Sequence, residues 1–125
     1  MQKTTTTGLN RLWRATGYSI EGLKAAWRNE AAFRQECIAA ALLLPAAFFL
    51  GGDALERSLL IFSLLLILVV ELINSALESA IDRIGPERHE LSGRTKNLGS
   101  AAVMLSLIAA AVVWGLIAFG RFWGK

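Results

Sequence analysis

The sequence contains only one cysteine and one histidine in 125 residues. The lone Cys37 excludes a disulfide within the chain, and one histidine cannot combine with it into a zinc centre of the Cys/His type. The first residues are polar and rich in threonine, so they do not resemble a secretion signal. These scarcities exclude a disulfide scaffold and a zinc-stabilised fold.

Apolar residues are plentiful, since hydrophobic types make up 54% of the chain and gather in long runs. For a chain of this length, that pattern predicts one all-α membrane domain over residues 1–125. The formal net charge of +3 comes from 13 basic and 10 acidic side chains. Their placement is more informative than their sum, and it does not imply a nucleic-acid partner.

Residues 9–28 carry apolar side chains, including Trp13 and Trp27, on one side of a helix and basic side chains elsewhere. This pattern predicts an N-terminal amphipathic surface helix. Such a helix either lies in an anionic headgroup layer or docks on the protein's own helices. The residues Gly17-Tyr18-Ser19 are a candidate bend or break, with Ser19 as the cap of a second piece.

Three further segments are long and apolar enough to cross a membrane, at about residues 31–50, 54–84 and 91–121. Gly51-Gly-Asp53 predicts a tight turn after the first crossing, and Gly85-Pro86 should end the second. The expected architecture is therefore three transmembrane helices and one surface helix.

Basic residues are distributed unequally between the two sides of these crossings. Ten lie on the side of the N-terminus and only three on the other side, which predicts a cytoplasmic N-terminus in a multi-pass protein. The ten are Lys3, Arg11, Arg14, Lys24, Arg28, Arg34, Arg83, Arg88, Arg94 and Lys96, and the three are Arg57, Arg121 and Lys125.

A polar stripe interrupts the second crossing. At 100° per residue, Glu71, Asn74, Glu78 and Asp82 share one helix face. If the helix begins its crossing near Ser58, Glu71 lies about 20 Å into the membrane and Glu78 close to the opposite interface. A buried carboxylate is costly there and normally faces a protein interior or a wet cavity. The stripe therefore predicts a functional site, although hydrogen bonding between packed helices is the alternative.

The stripe opens toward the predicted cytoplasmic side, near Glu30, Arg11 and Lys96. Carboxylates with basic neighbours suit a divalent metal and a polyphosphate. The chain nevertheless has no G-x-x-x-x-G-K-[ST], H-R-D or D-F-G motif, and Gly93-Arg-Thr-Lys96 lacks the first glycine and the spacing of a P-loop. The residues alone leave two classes open, an enzyme that phosphorylates a lipid and a small cation- or proton-coupled transporter.

Four segments carry a family resemblance. They are Asn29–Glu36 (NEAAFRQE), Val70–Glu78 (VELINSALE), Asp82–Gly85 (DRIG) and His89–Arg94 (HELSGR). Together they resemble the signatures of the bacterial integral-membrane diacylglycerol kinase family, and the likeness runs from about Gly8 to Gly120.

The resemblance implies a homotrimeric bundle in the bacterial cytoplasmic (inner) membrane, with composite sites between protomers. The implied reaction is transfer of the ATP γ-phosphate to diacylglycerol, with Mg²⁺ as cofactor, giving phosphatidic acid. Related small kinases act on undecaprenol, which is the alternative substrate.

The resemblance also implies roles for individual residues. Glu71 is the general base, Glu30 and Glu78 are the metal ligands, and Asn74 and Asp82 support the stripe. The residues expected around ATP are Arg11, Tyr18, Glu30, Glu78, Glu87, Arg88, His89, Lys96 and Asn97. Those expected at the lipid are Arg11, Ala15, Ser19, Lys24, Trp27, Ala32, Arg34, Glu36, Phe49, Arg57, Glu71, Ser100 and Trp114.

Several positions have a second interpretation. His89 can be a solvated loop side chain, and Arg34 and Glu36 can be simple anchors at the membrane interface. Where this chain has Lys96-Asn97 the family usually has Lys-Asp; the amide keeps an acceptor but loses a charge, which affects only the nucleotide contact. Trp114 lies toward the far end of the third crossing, and by position alone it is predicted to be a bilayer anchor.

Overall fold

The computed structural model describes residues 7–86 and 89–124, which form four α-helices and, within those ranges, no strand. The helices are α1 (Gly8–Asn29), α2 (Ala31–Leu50), α3 (Ala54–Ile84) and α4 (Glu90–Trp123). The last three have the length and composition of membrane-crossing helices. The predicted fold class, three apolar crossing helices with an amphipathic N-terminal helix, is confirmed.

Helix α1 is one continuous helix of 22 residues, so the break expected at Gly17-Tyr18-Ser19 is wrong. The hydroxyl of Thr16 donates to the carbonyl of Leu12 and that of Ser19 to the carbonyl of Ala15, both at 2.8 Å. These bonds satisfy the hydroxyls inside the helix. One helical glycine costs only about 1 kcal/mol relative to alanine, which is too little to break a helix of this length.

Arginine side chains fix the two connections that flank α2. Arg34 Nη1 donates to the carbonyls of Trp27 (2.7 Å) and Arg28 (3.1 Å), which are among the last free carbonyls of α1. Arg57 Nε donates to the carbonyls of Phe48 and Gly51, both at 3.1 Å, at the end of α2. Each arginine therefore completes the C-terminus of the preceding helix.

The sharp turn before α3 follows from local chemistry. The carboxylate of Asp53 accepts a 2.8 Å hydrogen bond from the backbone N–H of Glu56, which makes Asp53 the N-cap of α3. Gly51 packs so closely against Arg57 that a Cβ at Gly51 would come within 2.6 Å of the arginine Cγ. A glycine is therefore required where the two helices turn back on each other.

Helix α3 lies at the centre of the protomer, with α4 and α2 packed along it and α1 docked against α2. Its buried residues include Leu60, Leu64 and Ile67. Trp114 of α4 is half-buried and donates its indole N–H to Ser63 Oγ of α3 at 3.0 Å. The bilayer-anchor interpretation of Trp114 is therefore wrong, because its polar atom is bonded inside the protein.

Many large apolar side chains on α2, α3 and α4 point outward, including Phe49, Phe62 and Leu116, which are 74%, 62% and 68% exposed. Lipid tails or neighbouring protomers are the surroundings that suit such surfaces.

Candidate active site at one end of the membrane helices

The polar stripe of α3 becomes more buried with depth. Glu71 and Asn74 are only 6% and 9% exposed, Glu78 is half-buried, and Asp82 is exposed. Ten helical residues lie between the buried Leu60 and Glu71, and none of the side chains of residues 60–70 is charged. A charged group inside a bilayer is energetically costly, so an acid at this depth needs polar or protein surroundings and marks a candidate functional site.

Other carboxylates surround Glu71. Glu36 of α2 is a neighbour of Glu71, and Glu78 and Glu30 are close enough for their charges to influence Glu71. Glu36 Oε2 is buried and has no hydrogen-bond partner in the described part of the chain. The four acids come from two helices and the α1–α2 junction, and together they form a cluster of carboxyl groups.

Asn74 links this site to the packing of α3 against α4. Its Nδ2 donates to Glu78 Oε1 at 3.4 Å, one helical turn further along. Its Oδ1 is buried and has no hydrogen-bond partner among the described residues. The backbone of α4 comes close at Gly99, where a Cβ would lie 3.1 Å from Asn74 Cγ.

A second cluster lies where α3 gives way to α4. Lys96 Nζ forms a 3.0 Å ion pair with Asp82 Oδ1. Both residues line a cleft of about 460 Å³ together with His89. His89 is the N-cap of α4, and its Nδ1 accepts a 3.0 Å hydrogen bond from the backbone N–H of Leu91. The structure thus brings together three of the residues predicted from the sequence.

Three other residues predicted at the nucleotide are not part of this cluster. Glu87 and Arg88 lie outside the described residues, and Asn97 is exposed on α4.

A cleft of about 410 Å³ separates α1 from α3 and is lined by Ser19, Glu30, Ser75 and Ser79 among others. Sequence reasoning missed Ser75 and Ser79. Their spacing of four residues, one position beyond Asn74 and Glu78, would have placed them on an adjacent face of the same helix. They are hydroxyl groups beside Glu30 at the end of α3 where the acidic stripe opens.

Other predicted residues are spread over the protomer. Arg11, Ala15, Tyr18, Lys24 and Trp27 are exposed along α1, and Ala32, Phe49 and Ser100 are exposed on α2 and α4. Neither Arg11 nor Tyr18 lines the cleft that holds His89 and Lys96. Arg34 and Arg57 complete the C-termini of α1 and α2, which gives each a structural contact besides any ligand contact.

The donor atoms present suit Mg²⁺. Within residues 7–86 and 89–124, neither Glu30 nor Glu78 forms an ion pair with a basic side chain. No group of three or more His, Cys, Asp or Glu side chains in those ranges is arranged to hold a metal by itself. Mg²⁺ commonly binds one or two protein carboxylates and completes its shell with phosphate oxygens and waters. Two carboxylates that form no ion pair among the described residues therefore fit a metal that arrives with a nucleotide.

Taken together, three crossing helices and a buried acid that leads to carboxylates and a lysine at one end define an integral membrane protein with an acidic site. The family model described as prokaryotic diacylglycerol kinase matches residues 17–118. The chain belongs to this family.

Curated relatives are similar over nearly their whole length. A diacylglycerol kinase of Haemophilus influenzae is 54% identical over 114 residues, covering 91% of this chain and 97% of that protein. One of Escherichia coli K12 is 51% identical over 117 residues, covering 94% and 96%. One of Pseudomonas aeruginosa is 48% identical over 114 residues, covering 91% and 93%.

Proposed function

We propose that this protein is a lipid kinase that transfers the γ-phosphate of ATP to diacylglycerol and releases phosphatidic acid and ADP. The observation that carries the proposal is the buried Glu71 on a membrane-crossing helix, beside the carboxylates of Glu30 and Glu78, in a chain of this family. A lipid hydroxyl and a water-soluble phosphate donor can meet only where a polar site extends from the interface into the membrane.

The proposed roles of the acidic residues depend on how deep each one lies in the membrane. Glu71 and Glu78 are seven residues apart, which is about 10 Å along the helix axis and comparable to the span of a triphosphate chain. Glu30 and Glu78 would hold Mg²⁺ with the nucleotide near the interface, where the metal neutralises phosphate charge. The terminal phosphorus would then point inward, toward Glu71.

Glu71 acts as the general base in this proposal. The free hydroxyl of diacylglycerol hangs at headgroup depth, next to Glu71. The carboxylate accepts the hydroxyl proton as the oxygen forms a bond to the γ-phosphorus, and the bond from that phosphorus to the oxygen of ADP breaks. The burial of Glu71 excludes bulk water, which would compete with the lipid for the phosphate.

Lys96 and Asp82 complete the nucleotide side of the site. The ammonium of Lys96 stays close to the stripe because Asp82 holds it at 3.0 Å. A lysine at that position can pair with phosphate oxygens while the carboxylate keeps it oriented. His89 begins α4 beside them.

We further propose that the active form is a homotrimer in the bacterial inner membrane, with the N-terminus in the cytoplasm. The unequal distribution of basic residues supports this orientation. Composite sites are supported by Arg11 and Tyr18, which lie on α1 and outside the cleft of His89 and Lys96 in one protomer. A neighbouring protomer would bring the two groups together.

The direct test is to mix purified protein with γ-labelled ATP, Mg²⁺ and one lipid at a time, and to measure label in the organic phase. Diacylglycerol should be labelled in preference to undecaprenol. Preferential labelling of undecaprenol would make the protein a polyprenol kinase. No label in any lipid would refute the kinase and leave a cation- or proton-coupled transporter.

A further inference from the structure

Gly99 of α4 lies against the side chain of Asn74 on α3. This glycine is buried, and a Cβ built on it would collide with Asn74 Oδ1 and lie 3.1 Å from Asn74 Cγ. Three other glycines of α4, Gly93, Gly115 and Gly120, face open space within the described protomer. Gly99 is thus singled out among these glycines by the side chain of Asn74, and not by helix packing in general.

The two polar atoms of the Asn74 amide face different neighbours, Nδ2 toward Glu78 and Oδ1 toward Gly99. Its N–H is directed at the carboxylate of Glu78, at 3.4 Å, and this fixes which way the amide is turned, since a carboxylate accepts and does not donate. Its Oδ1 is buried, lacks a hydrogen-bond partner among the described residues, and lies beside the Cα of Gly99, in the space that a Cβ there would need. A Cα–H···O contact of this kind recurs between packed helices.

We propose that Gly99 is a positioning residue for the metal site, because the space left by its missing side chain lets Asn74 lie between α3 and α4 and hold Glu78. The proposal rests on the proposed function, in which Glu78 is a Mg²⁺ ligand. Groups that orient a metal ligand through a hydrogen bond typically change metal affinity by about 10- to 100-fold when they are lost. Gly99 does not contact Glu78 in this proposal; it acts indirectly, by leaving room for Asn74, which orients Glu78.

The first test is Gly99→Ala. The new methyl group displaces the far end of the Asn74 side chain, which is flexible, so the protein should fold while the hold on Glu78 is lost. Binding of Mn²⁺, a spectroscopic substitute for Mg²⁺, is measured by electron paramagnetic resonance in the presence of a non-hydrolysable ATP analogue. The Mn²⁺ dissociation constant should rise by about 10-fold. Gly115→Ala is the matched control, because a Cβ at this glycine of the same helix would meet no other described side chain or helix within 4 Å; this variant should bind Mn²⁺ as wild type does.

The decisive variants separate metal positioning from packing. Asn74→Ala removes the hydrogen bond without filling any space, and it should weaken Mn²⁺ binding about as much as Gly99→Ala. The double variant Asn74→Ala/Gly99→Ala removes the collision, because the Asn74 Cβ lies 3.9 Å from a Cβ at position 99, which is an ordinary contact. The double variant should therefore be more thermally stable than Gly99→Ala, but its Mn²⁺ binding should stay as weak as that of Asn74→Ala.

Three results would overturn the proposal. If Gly99 matters only for packing, the double variant recovers both stability and wild-type Mn²⁺ affinity. If Asn74 does not hold Glu78, Asn74→Ala binds Mn²⁺ as wild type does. If the wild-type protein binds no Mn²⁺ with the nucleotide analogue, the metal role of Glu78 fails and the positioning role fails with it. Failure of the proposed lipid kinase itself is recognised separately, by the absence of labelled lipid.

Discussion

Glu30 and Glu78 are carboxylates near Glu71 that make no ion pair with a basic side chain in the described ranges. With so few anionic ligands, the loss of either one should weaken the metal site. We expect Glu30→Gln and Glu78→Gln each to raise the Mg²⁺ concentration needed for half-maximal activity and to impair turnover. A Mg²⁺ titration of phosphatidic acid formation measures both effects.

Glu56→Gln is the matched control, because Glu56 is an acid of the same helix in its first turn, far from the stripe. Its Mg²⁺ requirement should equal that of wild type. Wild-type activity of Glu30→Gln or Glu78→Gln at limiting Mg²⁺ would show that the residue concerned is not a ligand.

Asn97 tests the periphery of the nucleotide site. It is exposed on α4, next to Lys96, where the family usually has Asp. A peripheral contact contributes about equally to the ground state and the transition state, so Asn97→Asp should change KM for ATP more than kcat. Steady-state kinetics with varied ATP give both constants. A large fall in kcat at constant KM would instead assign position 97 to the chemistry.

Among the elements, the junction of α1 and α2 carries a specific prediction. Arg34 donates to two carbonyls at the end of α1, next to the C-cap residue Glu30. Arg34→Met should loosen the last turn of α1 by about 1 kcal/mol, which corresponds to roughly fivefold faster amide exchange there. Hydrogen exchange measured by mass spectrometry reports this segment.

Arg14→Met is the control for loss of positive charge on the same surface helix. Arg14 forms no ion pair in the described part of the chain, so exchange near Glu30 should be unaffected. Equal exchange in the Arg34 variant and in wild type would mean that the guanidinium does not fix α1 to α2.

The elements also show how far sequence reasoning reaches. The apolar runs and the Gly51-Gly-Asp53 turn predicted three crossing helices because helix length and hydropathy are local properties, and the face shared by Glu71 and Asn74 follows from helical geometry alone. The bond from Trp114 to Ser63 spans 51 positions, so no local pattern could reveal it. The contact of Gly99 with Asn74 likewise depends on how α4 lies against α3. A serine such as Ser19 can either cap a helix or bond within it, so the sequence alone could not decide whether α1 is continuous.

For the whole molecule, a site built from residues of two protomers predicts that two inactive variants regain activity when their subunits are mixed. Arg11 and Lys96 lie in different regions of one protomer, so a site built from both would need two protomers. Arg11→Met and Lys96→Met should each have low activity, and subunits of the two variants mixed before assembly should regain activity above either alone. Each variant mixed with itself is the control. Activity of the mixture at the mean of the two parents would indicate that each site lies within one protomer.

The most direct test of the central claim is Glu71→Gln, with nucleotide binding and phosphate transfer measured on one membrane-embedded preparation. The substitution keeps shape and hydrogen-bonding capacity but removes the proton acceptor. Loss of a general base typically lowers the rate by about 10²- to 10⁴-fold. MgATP should bind with an affinity near wild type, while phosphatidic acid formation falls by at least about a hundredfold, with a residual rate from positioning and charge neutralisation. Near-normal turnover would remove Glu71 from the base role, and loss of MgATP binding in a folded protein would reassign it as a metal ligand.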